Sequence, residues 1–441
     1  MSLTFTSHPV DQPLNGTLRV PGDKSISHRS IMLGSLAKGT TVVTGFLQGE
    51  DSLNTLRSFQ AMGVHIEQQQ DQVSIEGVGL HGLKAPDHDL YLGNSGTSMR
   101  LMAGLLAGQP FQTCLTGDSS LCRRPMGRVI QPLSLMGAKI DAQHNKPPLH
   151  IHGTSDLKGV TYDLPIASAQ VKSCLLLAGL FAQGSTTVVE PAPTRDHTER
   201  MLQGFGYQVD SQRGQVSIEG TDSQQSLTAT AIDVPADISS AAFFIVAACI
   251  VPGSKLHLKH VGVNPTRIGI IDILKMMGAN IRLASPREVG GEPVCDVIVK
   301  YASLRGIAIP EALVPLAIDE FPILFIAAAC AQGKTILTGA EELRVKESDR
   351  IQAMADGLQA LGVAAQPTDD GMIIPGSDAD TVFTGGQVQS QHDHRIAMAF
   401  SVAALRASAP VNILDSDNVN TSFPGFAELF NQVGGRLETN A

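Results

Sequence analysis

A short phrase returns six times along this chain, and a regular internal repeat limits the possible folds more than any other feature. It passes from a helix-like stretch through an apolar–Gly–apolar or small step into a strand-like ending. It reads AMGVHI at Gly63, LMGAKI at Gly137, GFGYQV at Gly206, MMGANI at Gly278, ALGVAA at Gly362 and QVGGRL at Gly434. The glycines stand 74, 69, 72, 84 and 72 residues apart. Glycine there suits a left-handed helix C-cap that turns the chain back into a strand. A second phrase is interleaved: an apolar, Ala-rich helix ends in small residues and a β-branched strand follows. Its copies are SLAKGTTVVTG (35–45), LLAGQPFQTCLTG (105–117), LFAQGSTTVVE (180–190), CIVPGSKLHLKHV (249–261), ACAQGKTILTG (329–339) and LRASAPVNILD (405–415). Each repeat therefore holds two helices and several strands. Six of them suit two similar domains of three repeats better than one large domain. Chance recurrence of a common helix–Gly–strand grammar does not account for two interleaved phrases that each return six times.

What opens each apolar helix points to function. The six lead-ins are GDKSISHR (22–29), GNSGTSMR (93–100), PIASAQVK (165–172), PADISSA (235–241), AIDEFP (317–322) and QHDHR (391–395). A helix start carries unpaired N–H groups and a partial positive charge. If the repeats are related by symmetry, such starts gather into an anion site, with Lys24, Arg29, Arg100 and Lys172 nearby. The alternative is that Ser, Asp and Asn only cap helices. Capping explains the small polar residues but leaves the recurring cation unexplained.

Composition sharpens this. The net charge of −10 argues against a general nucleic-acid binder, which needs a positive face. Anionic ligands must instead meet local cation clusters. Trp is absent and only four Tyr occur, so aromatic stacking is not the recognition mode. Of the six cysteines, Cys114, Cys174, Cys249 and Cys330 sit in apolar runs, as small buried side chains do, and no pair has C-x-x-C spacing. The N-terminus lacks the pattern of a signal peptide. The longest apolar run, near Ala241–Val251, is too short to cross a bilayer. These features predict a cytoplasmic protein with no membrane partner.

Two loops concentrate charge. RRPMGR (123–128) sets three Arg around a Pro, and LRVKESDR (343–350) interleaves Arg344, Lys346, Glu347, Asp349 and Arg350. A helix starting at Lys346 would put Lys346 and Arg350 on one face at i,i+4, suited to gripping one phosphate or carboxylate; an ordinary salt-bridged helix face fits equally. Asp319, before the apolar ILFIAAACA, is either an N-cap or a poised base, and position alone favours the cap. Glu347 lies between two cations, which favours its ionised form. His28, His392 and His394 invite a metal reading, but no third ligand has convincing spacing and none is assigned.

Taken in order, PGDKSISHR, LGNSGTSMR, RRPMGR, SAQVKS, DEFP, RVKESDR and DHR resemble the signatures of the enolpyruvylshikimate phosphate synthases over nearly the whole chain. The resemblance implies the enolpyruvyl transferase fold: two inside-out α/β domains, each of three βαβαββ-type units. One would comprise residues 1–18 with 239–441, the other 19–238, with a hinge near 18–20 and 236–241. It implies a monomer that transfers the carboxyvinyl group of phosphoenolpyruvate to shikimate 3-phosphate, using no organic cofactor and no metal. The same resemblance assigns Lys24, Ser25, Arg29, Ser168, Gln170, Arg195, Asp319 and Lys346 to shikimate 3-phosphate. It assigns Lys24, Gly96, Arg124, Gln170, Arg350 and Arg395 to phosphoenolpyruvate. Asp319 resembles the base that takes the hydroxyl proton, Glu347 the acid that protonates the methylene, and Lys24 a third catalytic group. Gly96 resembles the position where a methyl obstructs the inhibitor glyphosate.

Several positions depart from the plant and enteric-bacterial class. Ala169 stands in SAQ for SSQ, Glu342 for an Asn, Thr421 for a Lys, and RDHTERM (195–201) for a Tyr-containing segment. They look like the divergent second class, in which Arg195 takes a shikimate-phosphate contact. Two rivals are an enolpyruvyl transferase acting on a UDP-amino sugar, given Cys122 just before Arg124-Pro125, and a non-catalytic anion-binding protein on the same fold.

Overall fold

The computed structural model describes residues 3–212, 214–221, 224–377 and 379–440. The chain divides into two compact units, one of Met1–Pro21, Pro235–Arg287 and Pro293–Ala441, the other of Gly22–Val234 with Glu288–Glu292. We call them the first and second unit.

Among the described residues each unit contains three small sheets. In the second unit, strand Leu90–Tyr91 leads into helix Gly96–Ala107, strand Thr113–Thr116, helix Gly127–Leu135 and strands Ile140–Asp141 and Leu149–Ile151. This is the βαβαββ order. The leading strand pairs parallel to Thr113–Thr116 and the last two pair antiparallel. Thr161–Asp163, Ser185–Val189, Asp210–Gln212 and Gln215–Glu219 repeat the arrangement. In the remaining sheet the leading strand comes from the far end of the unit: Ala231–Asp233 pairs parallel to Lys38–Thr44. The first unit closes in the same manner, with Asn15–Leu18 parallel to Lys255–Gly262 and Thr4–Ser7 between Val411–Leu414 and Leu437–Asn440.

The six repeated glycines all lie in the left-handed region, at φ from +81° to +106°. A side chain there would be strained, so the helix-to-strand reversal is written into each repeat by one residue. The helices that follow the polar lead-ins form the cores. Ile238–Ile250 and Phe321–Ala329 are buried at every position, and Lys24–Leu36 is buried from Ile26 onward. Helices apolar on all sides belong in an interior, and each fully buried Leu, Ile or Phe contributes about 1.5–3 kcal/mol. The strands alternate, as in Gln215–Glu219, with one side to the helices and one to solvent. Helices within and sheets without give the inside-out architecture. At Gly104 a Cβ would lie 2.1 Å from the Cys174 carbonyl oxygen, so helices Gly96–Ala107 and Ala169–Gly179 approach at a contact only glycine permits.

Candidate active site

Five of the six core helices carry a side-chain cap: Asp23 accepts from Ile26 N, Ser95 from Ser98 N, Ser168 from Val171 N, Asp237 from Ser239 N and Asp393 from Arg395 N. The exception is Phe321–Ala329, whose N-cap Glu320 makes no such bond. Asp319 therefore does not cap that helix, contrary to what position alone favours. It sits in the preceding turn, and its carboxylate faces cations.

In the second unit the three capped helix starts converge. Arg29, buried, donates from Nε to Thr198 Oγ1 (2.7 Å) and from its two terminal nitrogens to Ser25 O (3.0 Å) and Ser173 Oγ (2.8 Å). Every one of these acceptors is neutral. Burial pulls the Arg29 pKa down to about 10, against the pull of Glu199 and Asp23, and the charge of Arg195 lowers it further. Arg195 thus lies within electrostatic reach of Arg29. Arg100 donates to Gln170 Oε1 (2.6 Å), and Gln170 Nε2 donates to Thr97 Oγ1 (3.0 Å). Arg124 is held by Asn94, through both its carbonyl oxygen and its side chain. A Cβ on Gly96 would stand 2.8 Å from an Arg100 nitrogen and 3.2 Å from an Arg124 nitrogen. Lys24 pairs with Asp51 at 3.2 Å. His28, fully buried, bonds with Thr55 (2.8 Å), Ser98 (3.1 Å) and Ser95 (3.3 Å). Its pKa falls to about 3 through burial and the nearby charges of Lys24 and Arg29, so it is a neutral imidazole at pH 7.

The fold corrects one expectation here. Lys172 is not presented to a ligand: it is 1 % exposed and clasped by Glu199 (2.6 Å) and Glu190 (3.0 Å). A buried ammonium needs such partners. Its place at the inner edge of a lead-in reads the same in sequence as that of Arg29 or Arg100.

The first unit gathers Asp319, Lys346, Glu347, Arg350 and Arg395. Helix Arg350–Ala360 begins at Arg350, capped by Asp349, and Lys346 lies outside it. The i,i+4 face anticipated for Lys346 and Arg350 does not form; the two meet through Asp319 instead. The Asp319 carboxylate is 3.5 Å from Lys346 Nζ and 3.3 Å from Arg350. Arg350, 1 % exposed, also reaches Glu347 at 2.6 Å and Asp393 at 2.9 Å. Burial alone would depress the Arg350 pKa, but Asp393, Glu347 and Asp319 outweigh it and hold it above its ordinary value. Burial would likewise raise Asp393, and Arg350 holds it low instead. Arg395 donates to the Asp319 carbonyl oxygen at 2.9 Å and lies 3.7 Å from Glu320.

Asp393 and Arg267 were given no role in the sequence. Asp393 is wholly buried between Arg350 and Ser348, and Arg267 binds Asp237 at 3.1 Å and Ser239 at 2.7 Å. DHR contains the first in plain view; the second lies in VGVNPTRIG, where nothing local marks it. The Cys122 thiol donates to the Gly117 carbonyl oxygen at 3.4 Å.

Comparison with known proteins shows the family and the fold. The family description "EPSP synthase (3-phosphoshikimate 1-carboxyvinyltransferase)" matches residues 10–430. The 3-phosphoshikimate 1-carboxyvinyltransferase of Methylococcus capsulatus is 62% identical over 440 residues, 99% of either chain. That of Hydrogenovibrio crunogenus is 63% identical over 428 residues, 96% of this chain and 95% of its own. A solved EPSP synthase structure from Acinetobacter baumannii superposes with a TM-score of 0.90 at 55% identity, covering 100% of both chains.

Proposed function

The chain belongs to the EPSP synthase family, and we propose on that premise that it moves the carboxyvinyl group of phosphoenolpyruvate onto the 5-hydroxyl of shikimate 3-phosphate. Phosphate leaves through a tetrahedral addition intermediate. The observation that carries the reading is the meeting of Asp319 and Glu347 on one guanidinium, that of Arg350. Addition–elimination needs one group to take the hydroxyl proton and another to protonate the methylene carbon. Asp319, beside Lys346 and Arg350, is favoured as the ionised base. Glu347, 2.6 Å from the same guanidinium, is ionised at rest as well; at 25 % exposure against 14 % for Asp319 it is the better placed of the two to take up the proton it delivers.

The cations hold the anions as charge develops. Shikimate 3-phosphate falls to Lys24, Ser25, Arg29, Ser168, Gln170, Arg195 and Lys346, with Asp319 at the reacting hydroxyl. Phosphoenolpyruvate falls to Lys24, the Gly96 backbone, Arg124, Gln170, Arg350 and Arg395. Lys24 thus touches both substrates and acts as the third catalytic group. No organic cofactor or metal enters this chemistry. We place the protein in the cytoplasm as a monomer of the aromatic amino-acid route. Among the described residues no helix is long and apolar enough to cross a membrane.

The test is continuous phosphate release with both substrates. Release that requires shikimate 3-phosphate and phosphoenolpyruvate together supports the assignment. Release with UDP-N-acetylglucosamine in place of shikimate 3-phosphate, or none with either acceptor, overturns it.

A further inference from the structure

A β-hairpin tip belongs to the second unit and touches the helix His197–Gly204. Strands Asn280–Val289 and Glu292–Lys300 are joined by Gly290 and Gly291, both at positive φ. A two-residue Gly-Gly turn gives the tip one tight geometry. Glu292, the first residue beyond it, is 3 % exposed, and its carboxylate lies 2.7 Å from Nδ1 of His197, itself 2 % exposed. One helical turn on, Arg200 donates to the Gly291 carbonyl oxygen at 2.9 Å. The tip thus holds both ends of the first turn of helix His197–Gly204. Between those two points lies Thr198, which accepts the Arg29 Nε bond and passes a bond to Ser173 at 2.8 Å.

We propose that Glu292 is a positioning residue for shikimate 3-phosphate. By holding His197 it fixes the start of this helix, and so sets Thr198 against Arg29 and places Arg195 just ahead of it. The proposal rests on the assignment of Arg29 and Arg195 to that substrate. Glu292 touches no reacting atom. Its charge is also felt at Arg29, where it favours the protonated guanidinium. A role confined to stability would lower the melting temperature and leave both Michaelis constants alone.

The experiment is steady-state kinetics of Glu292→Ala, Glu292→Asp and Glu292→Gln on the full chain, with calorimetric binding of shikimate 3-phosphate. Glu292→Ala should raise KM and Kd for shikimate 3-phosphate about tenfold, the scale of one lost buried hydrogen bond, with kcat and the KM for phosphoenolpyruvate within about twofold. Glu292→Gln, which still accepts from His197, should restore most of the loss. Glu292→Asp, withdrawn by one methylene, should fall between. An unchanged shikimate 3-phosphate constant in folded Glu292→Ala, or equal losses for both substrates, overturns the proposal. Should Glu292→Ala not fold, a Glu292→Asp variant with wild-type affinity overturns it. Failure of the wild type to release phosphate would count against the enzymatic reading. Calorimetry would then still decide this one: undiminished affinity in the variants refutes it, and a selective loss supports it.

Discussion

The two clusters of cations differ in what answers their charge. In the second unit Arg29 is held by hydroxyls and a carbonyl, Arg100 by an amide, and Arg124 by Asn94. In the first unit Arg350 is met by Asp319, Glu347 and Asp393, Lys346 by Asp319, and Arg395 by Glu320. Neutral acceptors fix the Arg29 guanidinium without cancelling its charge. In the first unit three carboxylates, Asp319, Glu347 and Asp393, answer the Arg350 charge directly. Arg29 and Arg350, both buried, register the contrast: the Arg29 pKa sinks to about 10, while that of Arg350 rises above its ordinary value. Lys24 with Asp51 and Lys172 with Glu190 and Glu199 cross the pattern, and Lys172 is the one sealed from solvent.

The comparison breaks most decisively at Asp319. If the first unit supplies the base, Asp319→Asn should slow turnover by about 10²–10⁴-fold while both ligands still bind. Turnover within about threefold of wild type, the same kinetics being the check, would reduce Asp319 to a partner of Lys346 and Arg350. Next in size are the arginines. Arg124→Ala and Arg395→Ala should each weaken phosphoenolpyruvate by about 2–4 kcal/mol and shikimate 3-phosphate less, since a charge-assisted grip is lost on one small anion. Calorimetry with equal losses for the two ligands would refute the division of labour.

Gly96→Ala tests the second unit more finely. Its methyl would press on the tips of Arg100 and Arg124, both at flexible ends. Glyphosate should compete with phosphoenolpyruvate in the wild type. The variant should lose inhibitor affinity by about 10–200-fold, the scale of one misplaced methylene-sized group, and substrate affinity by less. Equal losses of affinity for glyphosate and phosphoenolpyruvate would show that the methyl acts through the arginines alone.

A separate effect, on stability, concerns His28. Its pKa of about 3 lies below the unfolded value of 6.5, so the unfolded chain binds the extra proton between them. The stability associated with keeping it neutral is complete above pH 6.5 and is lost as pH falls toward 3. The slope is at most about 1.4 kcal/mol per pH unit. Urea unfolding between pH 7 and 4 should therefore flatten in His28→Gln. A slope identical to that of the wild type would place the acid sensitivity elsewhere.

Local features were legible in the chain and long-range ones were not. The six left-handed glycines, five of six helix caps, the apolar core helices and the two helices in each repeat follow from residues a few positions apart. A cap reaches three residues and a C-cap glycine needs only its own φ, so both are written locally. The motif string identified the family because its pieces occur in order along the chain. The pairing of each charge was a different matter. Arg350 finds Asp319 and Asp393 across 31 and 43 positions, Arg29 finds Ser173 and Thr198 across 144 and 169, and His197 finds Glu292 across 95. Lys172 and Arg29 look alike in sequence, yet one is sealed by two glutamates and the other framed by hydroxyls. The sequence by itself determined which residues begin helices, reverse the chain and carry charge. Only the tertiary structure decided which charges are cancelled and which remain, because the energy of a buried ion depends on the atoms that replace its water, and those come from distant parts of the chain.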